Sequence, residues 1–221
     1  KGNSSMSKVI HHGINPEFFF KPSVAKDIRD YKKKAPFSII SVNAVEPYKH
    51  FRELIESIKL LKEEGYPISF EIYGGGHLPS IDRLKKNIIK ADPDSKFIHY
   101  RGKVPYSDLR NIYAKSDLFL YSSSCESFGQ TLTEAMASGL PIATSNTSSA
   151  PELLQSSGSY FNPHDVQDIS KTIKELLDSK NLRNSLSKSA YLRARNFSWY
   201  HCARETFKVI DQDLNFFSQF I

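Results

Sequence analysis

Two carboxylates, Glu126 and Glu134, stand eight positions apart in Glu126-Ser-Phe-Gly-Gln-Thr-Leu-Thr-Glu134. A carboxylate accepts hydrogen bonds from vicinal hydroxyls such as those of a ribose or a sugar. The apolar run 117–121 just before reads as a buried strand, and 130–138 reads as a helix that ends at Gly139. The segment is therefore strand, loop, helix. It places Glu126 in the loop at the carboxyl end of the strand and Glu134 just over one turn inside the helix. N–H groups at the start of that helix have no intrahelical partners, and they favour an anion such as a diphosphate. Hydroxyl-gripping carboxylates beside an anion-binding helix start suggest a nucleotide-sugar.

Positioning these groups requires a regular scaffold, and the chain from residue 37 onward alternates strand and helix. Strands are expected at 37–42, 68–73, 96–100, 117–121, 141–144 and 159–161. Between them lie helices at 51–63, 80–89, 107–115 with Ser107 as N-cap, 130–138 and 150–154, followed by helices at 165–178, 181–196 and 199–217. Apolar residues at 51, 54, 55, 58 and 61 form one helical face. Such alternation predicts an α/β fold, a doubly wound, Rossmann-like parallel sheet of about six strands. Ligands bind these sheets in the crevice at the carboxyl ends of the strands. The irregular loops, 43–50, 74–79, 101–106, 122–130 and 145–149, all fall at that edge, while compact stops such as Glu64-Gly-Tyr-Pro67 fall at the other.

Composition narrows the function classes. The chain has 221 residues, 39% of them hydrophobic, enough for one large domain with its own core. Its net charge of +6 is not arranged as a basic stripe interleaved with aromatics, which disfavours nucleic-acid binding. The sharpest basic cluster, Lys32-Lys33-Lys34, reads as a solvated linker. No apolar run approaches the ~20 residues of a membrane span. Only Cys125 and Cys202 occur, so neither a disulfide framework nor a cysteine metal site is expected, and a reducing cytoplasmic setting is the default. Cys125, beside Glu126, reads as a packing residue. The histidines show no ligand spacing such as His-x3-His, and no metal is expected. The opening Lys1-Gly-Asn-Ser-Ser has no initiator Met, and the chain reads as a fragment of a longer protein.

Glu126, Phe128-Gly129, Glu134, Ala135-Met136-Ala137 and Gly139-x-Pro141 together resemble the signature of family 4 glycosyltransferases, retaining enzymes of the GT-B fold. The stretch Val9-Ile-His-His-Gly-Ile-Asn-Pro-Glu-Phe-Phe19 resembles the family's entry into its C-terminal domain. The resemblance thus covers nearly the whole chain and implies the C-terminal, donor-binding half of a GT-B enzyme. Residues 1–36 would enter from a missing N-terminal acceptor domain, 37–196 would form the nucleotide-sugar domain, and 197–221 would be a helix crossing back, with Trp199 a packing landmark near its start.

The resemblance also implies roles. Glu126 would sit beside the transferred sugar, and Lys49 would contact the donor diphosphate and stabilise charge on the leaving group. Backbone N–H groups of Phe128, Gly129 and Gln130 would hold sugar hydroxyls or a phosphate, those of Thr131 and Leu132 the diphosphate, and Glu134 the ribose. Gly74 and Gly75 would let the donor approach the backbone, and the Lys103-Val104 stretch would contact the base. Asn43 stands where many relatives carry an Arg six residues before the Lys, and Arg101 and Lys103 are candidate substitutes for that charge.

The expected activity is transfer of a hexosyl unit from a UDP- or GDP-sugar to a saccharide or lipid-linked acceptor. It would use no cofactor besides the donor, with peripheral contact to the cytoplasmic membrane face, and the fragment alone is expected to bind nucleotide without turnover. The alternatives are a sugar-nucleotide epimerase of GT-B-type fold, or a binding domain that has lost catalysis.

Overall fold

A computed structural model describes residues 8–217. The opening stretch Lys1 to Ser5, on which the fragment reading draws, and the end of the predicted 197–221 segment lie outside these residues. Six strands form one sheet in the order β3-β2-β1-β4-β5-β6: β1 (Phe37–Val42), β2 (Ile68–Tyr73), β3 (Ile98–Gly102), β4 (Leu118–Tyr121), β5 (Ile142–Ser145) and β6 (Ser159–Phe161). Every pairing is parallel. The chain starts at the sheet centre with β1, winds outward to β3, then returns to β4 and winds the other way. The order reverses between β1 and β4, so the crevice for a ligand opens at their carboxyl ends.

Alternation along the strands sorts the core into two layers. Phe37, Ile39, Phe70, Ile72, Leu118 and Leu120 face one side, where α1 (Phe51–Glu63), α2 (Leu78–Ala91) and α6 (Val166–Asp178) cover them. Ile40, Val42, Phe119 and Tyr121 face the other, under α3 (Tyr106–Ala114), α4 (Gln130–Ala137), α5 (Ala150–Leu154) and α7 (Lys180–Ala194). The central strands β4 and β5 are buried at every position, as strands covered on both faces must be. On α1 the predicted apolar stripe is the buried one: Leu54, Ile58 and Leu61 are fully covered, each contributing about 2 kcal/mol of burial.

Several boundaries shift by one or two residues from the sequence expectation, α2 beginning at Leu78 and α7 ending at Ala194 among them, and two of the shifts have a plain local reason. Strand β3 begins at Ile98, not 96, because the buried Asp92 carboxylate accepts from the N–H groups of Lys96, Phe97 and Ile98 and holds 96–97 in its loop. Helix α3 begins at Tyr106 with Pro105 in the cap position, so Ser107 lies inside the first turn and is not the cap. Pro105 supplies the turn itself, its carbonyl accepting from Asp108 N–H at 3.0 Å.

Residues 14–20 are built into the domain. Ile14 N–H donates to Phe197 C=O, Phe20 N–H to Ala137 C=O, and the buried Phe18 packs on Tyr113. Gly139 closes α4 with φ +68, and a side chain there would collide with Phe20 and Pro22. Helix α8 (Trp199–Phe217) follows. Trp199 is half exposed, with its ring stacked on His12 at 5.5 Å and its backbone closed over Gly13. Among the described residues no helix is long and apolar enough to cross a membrane.

Candidate active site

The loops after β1, β4 and β5 are sewn together at the carboxyl edge. Ser122 Oγ donates to Lys49 C=O, Ser124 N–H to Tyr48 C=O, and His50 Nε2 meets Ser124 Oγ at 2.7 Å. His50 adopts φ 50, a conformation that costs a non-glycine residue about 1 kcal/mol, and its ring contacts to Ser124 and His164 hold it there. From the far side, Ser148 Oγ accepts from Glu126 N–H at 2.7 Å, and Ser149 Oγ donates to Phe128 C=O. The backbone carrying Glu126 is thereby fixed to both neighbouring loops.

Lys49 is buried, and its ammonium donates to Glu126 Oε1 and, at 3.2 Å, to Asn43 Oδ1. It also lies over the rings of Tyr48 and Tyr121, at 5.2 and 5.7 Å from their centroids. Three residues expected at the site are thus in direct contact. Asn43 serves here as an acceptor that seats Lys49, which an Arg could not do. Burial and the nearby Glu126 carboxylate push the Tyr121 hydroxyl well above its usual range, so Tyr121 stays a neutral donor.

The glycine run has a structural cause that the sequence did not disclose. Asn43 N–H bonds Tyr73 C=O and Val45 N–H bonds Gly75 C=O, which extends the β1–β2 pairing past the strands. A Cβ on Gly74 would lie 1.8 Å from Asn43 O, and one on Gly76 2.5 Å from Val45 O. Gly74 therefore admits its own neighbouring chain. A Cβ on Gly75 would make only an ordinary 3.7 Å contact with Lys103 Cβ, so Gly75 is the glycine with open space. Lys103 is exposed and lies beside Gly75, and Val104 packs partly against the α3–α4 layer. Arg101 is engaged elsewhere, donating to Glu71 at 2.5 Å, which leaves Lys103 as the better placed of the two substitute cations.

Gly129 (φ +103) turns the chain into α4, and a side chain there would press on the Tyr121 hydroxyl at 2.9 Å. Among the described residues, the N–H groups of Phe128, Gly129, Gln130 and Thr131 have no intramolecular acceptor. Leu132 N–H is already bound to Gly129 C=O at 3.1 Å, so the free donors stop at Thr131 and the expectation for Leu132 is corrected. The Gln130 side chain reaches away to Gly13 C=O, leaving its backbone N–H as the group available to a ligand. Phe128 is buried against His11, His12 and Phe197. Cys125 is exposed, against the expectation of a packing role.

Glu134 is 1% exposed, and Tyr106 and Tyr113 hydroxyls lie 3.0 and 3.4 Å from its two oxygens. Burial pushes its carboxyl up to about 7, and the two hydroxyls offset part of that rise. Sequence reasoning missed Tyr106, Tyr113, Tyr121 and the serines 122, 148 and 149. They reach the site from other elements, and only the clustering of serines in the edge loops hinted at them.

The chain matches the model of "Glycosyl transferases group 1" over residues 23–193. It is 32% identical to O-antigen chain mannosyltransferase B of Escherichia coli over 168 residues, 75% of this chain and 43% of that protein. It is 27% identical to serotype-specific mannosyltransferase WbdA of Escherichia coli over 88% of this chain and 24% of that protein. The chain thus spans less than half the length of these relatives. Among solved structures, Anabaena Alr3699/HepE in complex with UDP and glucose superposes with a TM-score of 0.79 at 17% identity, over 95% of this chain and 58% of that one. Sucrose-phosphate synthase from Thermosynechococcus elongatus gives 0.79 at 18% identity, over 94% and 53%. The fold is the Rossmann-like C-terminal half of a GT-B architecture, and the chain belongs to the group 1 glycosyltransferases.

Proposed function

We propose that this chain is the donor-binding half of a retaining hexosyltransferase of family 4 that takes a UDP- or GDP-linked sugar. The observation that carries the reading is the Lys49–Glu126 pair at the carboxyl edge of the sheet together with the free N–H groups from Phe128 to Thr131, which open α4, the helix that carries Glu134. The diphosphate would lie against the α4 start and Lys49, the ribose against Glu134, and the sugar beside Glu126. The mannosyltransferase relatives support mannosyl as the hexosyl unit and a growing saccharide, free or lipid-linked, as the acceptor.

In the reaction the anomeric carbon breaks its bond to the diphosphate oxygen and forms one to the acceptor oxygen on the same face. The acceptor proton goes to the departing diphosphate. Lys49 and the α4 N–H groups stabilise the charge that collects there, so the protein contributes positioning and electrostatics and no cofactor besides the donor. The acceptor domain and the cleft it closes belong to the longer enzyme, which works at the cytoplasmic face of a membrane. This chain alone binds nucleotide without appreciable transfer.

Calorimetric titration with UDP, GDP and ADP, repeated on Glu134→Ala, tests the reading. Saturable binding of one nucleotide, weakened at least tenfold by the substitution, is expected. Absence of binding to all three would refute it.

A further inference from the structure

Glu134 cannot receive a ribose as it stands. Its carboxylate is covered: the Tyr106 hydroxyl donates to Oε1 at 3.0 Å, and the Tyr113 hydroxyl stands 3.4 Å from Oε2. The two tyrosines differ sharply. Tyr113 is fully buried, flanked by Phe18 and Phe119, and its one hydroxyl proton is shared between Thr131 C=O at 3.2 Å and Glu134 Oε2 at 3.4 Å. It is locked. Tyr106 is 52% exposed, sits at the first residue of α3 just behind Pro105, and touches Phe18 only by an edge-to-face contact at 5.4 Å. Its loop is also the one that carries Lys103 and Val104, the stretch expected to contact the base.

We propose that the Tyr106 hydroxyl occupies the ribose position on Glu134 in the unliganded protein and is displaced when a ribonucleotide binds. The inference rests on the donor-site reading and adds to it a residue that sets affinity. A ribose hydroxyl replaces the tyrosine hydroxyl on the same oxygen, so Glu134 is never left without a donor. The exchange lowers the apparent affinity, because binding must first break an existing hydrogen bond. It also favours ligands that carry hydroxyls there, since an analogue without them opens the site and leaves Glu134 short of a partner.

The test is a double-mutant cycle on nucleotide affinity, with UDP and GDP as probes and wild type, Tyr106→Phe, Glu134→Gln and the double variant as proteins. Phe keeps the ring and its contact with Phe18, and a melting curve checks that each variant is folded. Tyr106→Phe should bind the accepted nucleotide roughly tenfold more tightly, the factor that corresponds to about 1.4 kcal/mol. The gain should vanish in the Glu134→Gln background, where the competing charge-assisted bond is gone. A Tyr106→Leu variant with the same gain would confirm that the hydroxyl, not the ring, is the competitor. If Tyr106→Phe binds equally or more weakly, Tyr106 is an ordinary contact and the inference is overturned while the donor-site reading stands. If no variant binds either nucleotide, the donor-site reading fails and this inference with it.

Discussion

Lys49 and Glu126, 77 positions apart in sequence, form an ion pair whose two halves are unequally sheltered: the lysine side chain is 6% exposed and the glutamate 18%. The asymmetry follows from where each comes from. Lys49 ends a tight turn pinned under Tyr48 and Tyr121, whereas Glu126 projects from a loop whose outer side faces solvent. Removing one member of a buried pair leaves the other charged and unpaired, and the cost scales with how poorly water can reach it.

Glu126→Ala should therefore cost more stability than Lys49→Met. The first strands the ammonium with Asn43 as its one remaining acceptor and should cost about 3 kcal/mol. The second leaves a carboxylate that water can reach and should cost about 1 kcal/mol. Urea unfolding monitored by circular dichroism gives both values. The order should reverse for binding of a nucleoside diphosphate, with Lys49→Met the more damaging, because the diphosphate loses its cation. Equal stability losses would show that the two groups are equally hydrated in solution.

Glu134 makes a second kind of prediction, about pH. Its carboxyl lies near 4.5 when unfolded and is pushed up to about 7 in the fold by burial. Between those values the folded state holds the proton more tightly than the unfolded state. This residue's contribution is thus most favourable below pH 4.5, declines as pH rises to 7, and is a constant penalty of about 3 kcal/mol above it. Glu134→Gln removes the penalty without changing the shape of the side chain. The variant should be more stable than wild type at pH 8 and indistinguishable from it at pH 4, as read from melting curves across that range. Nucleotide affinity of the wild type should move oppositely and rise between pH 6 and 8, because only the ionised carboxylate accepts from both ribose hydroxyls. A stability difference that does not vary with pH would show that Glu134 is ionised throughout.

The scaffold was legible in the sequence where local pattern decides structure. Strand β1, the stripe on α1 and the strand–loop–helix around Glu126 follow from apolar periodicity and from Gly139 as a stop, and all three are present. The signature residues were legible because they lie in one contiguous stretch. What was not legible depends on which segments the topology brings together. Tyr106 meets Glu134 across 28 positions and Ser148 meets Glu126 across 22, contacts fixed by strand order, with no trace in periodicity. Ser107 was a reasonable helix cap by type, but Pro105 preempts it by starting the turn two residues earlier. Asn43 looked like a missing charge, and only the fold shows it as the acceptor that completes the lysine's partners.

The glycines separate structure from binding in one experiment. Gly74 has φ +139 and faces the Asn43 carbonyl so closely that no side chain fits, whereas Gly75 has ordinary space. Gly74→Ala must push β1 and β2 apart where Asn43 is set. It should lose more than 3 kcal/mol of stability, with nucleotide binding lost as a consequence. Gly75→Ala should change stability by less than about 1 kcal/mol. If the donor backbone passes over this turn, Gly75→Ala will still weaken UDP or GDP binding several-fold in a fully folded protein, because the added methyl stands where the ligand must approach. Thermal melts and calorimetry on the two variants decide it. Unchanged affinity in a stable Gly75→Ala protein would mean that the glycine run serves the close approach of the two strands alone and that the donor lies nearer to α4.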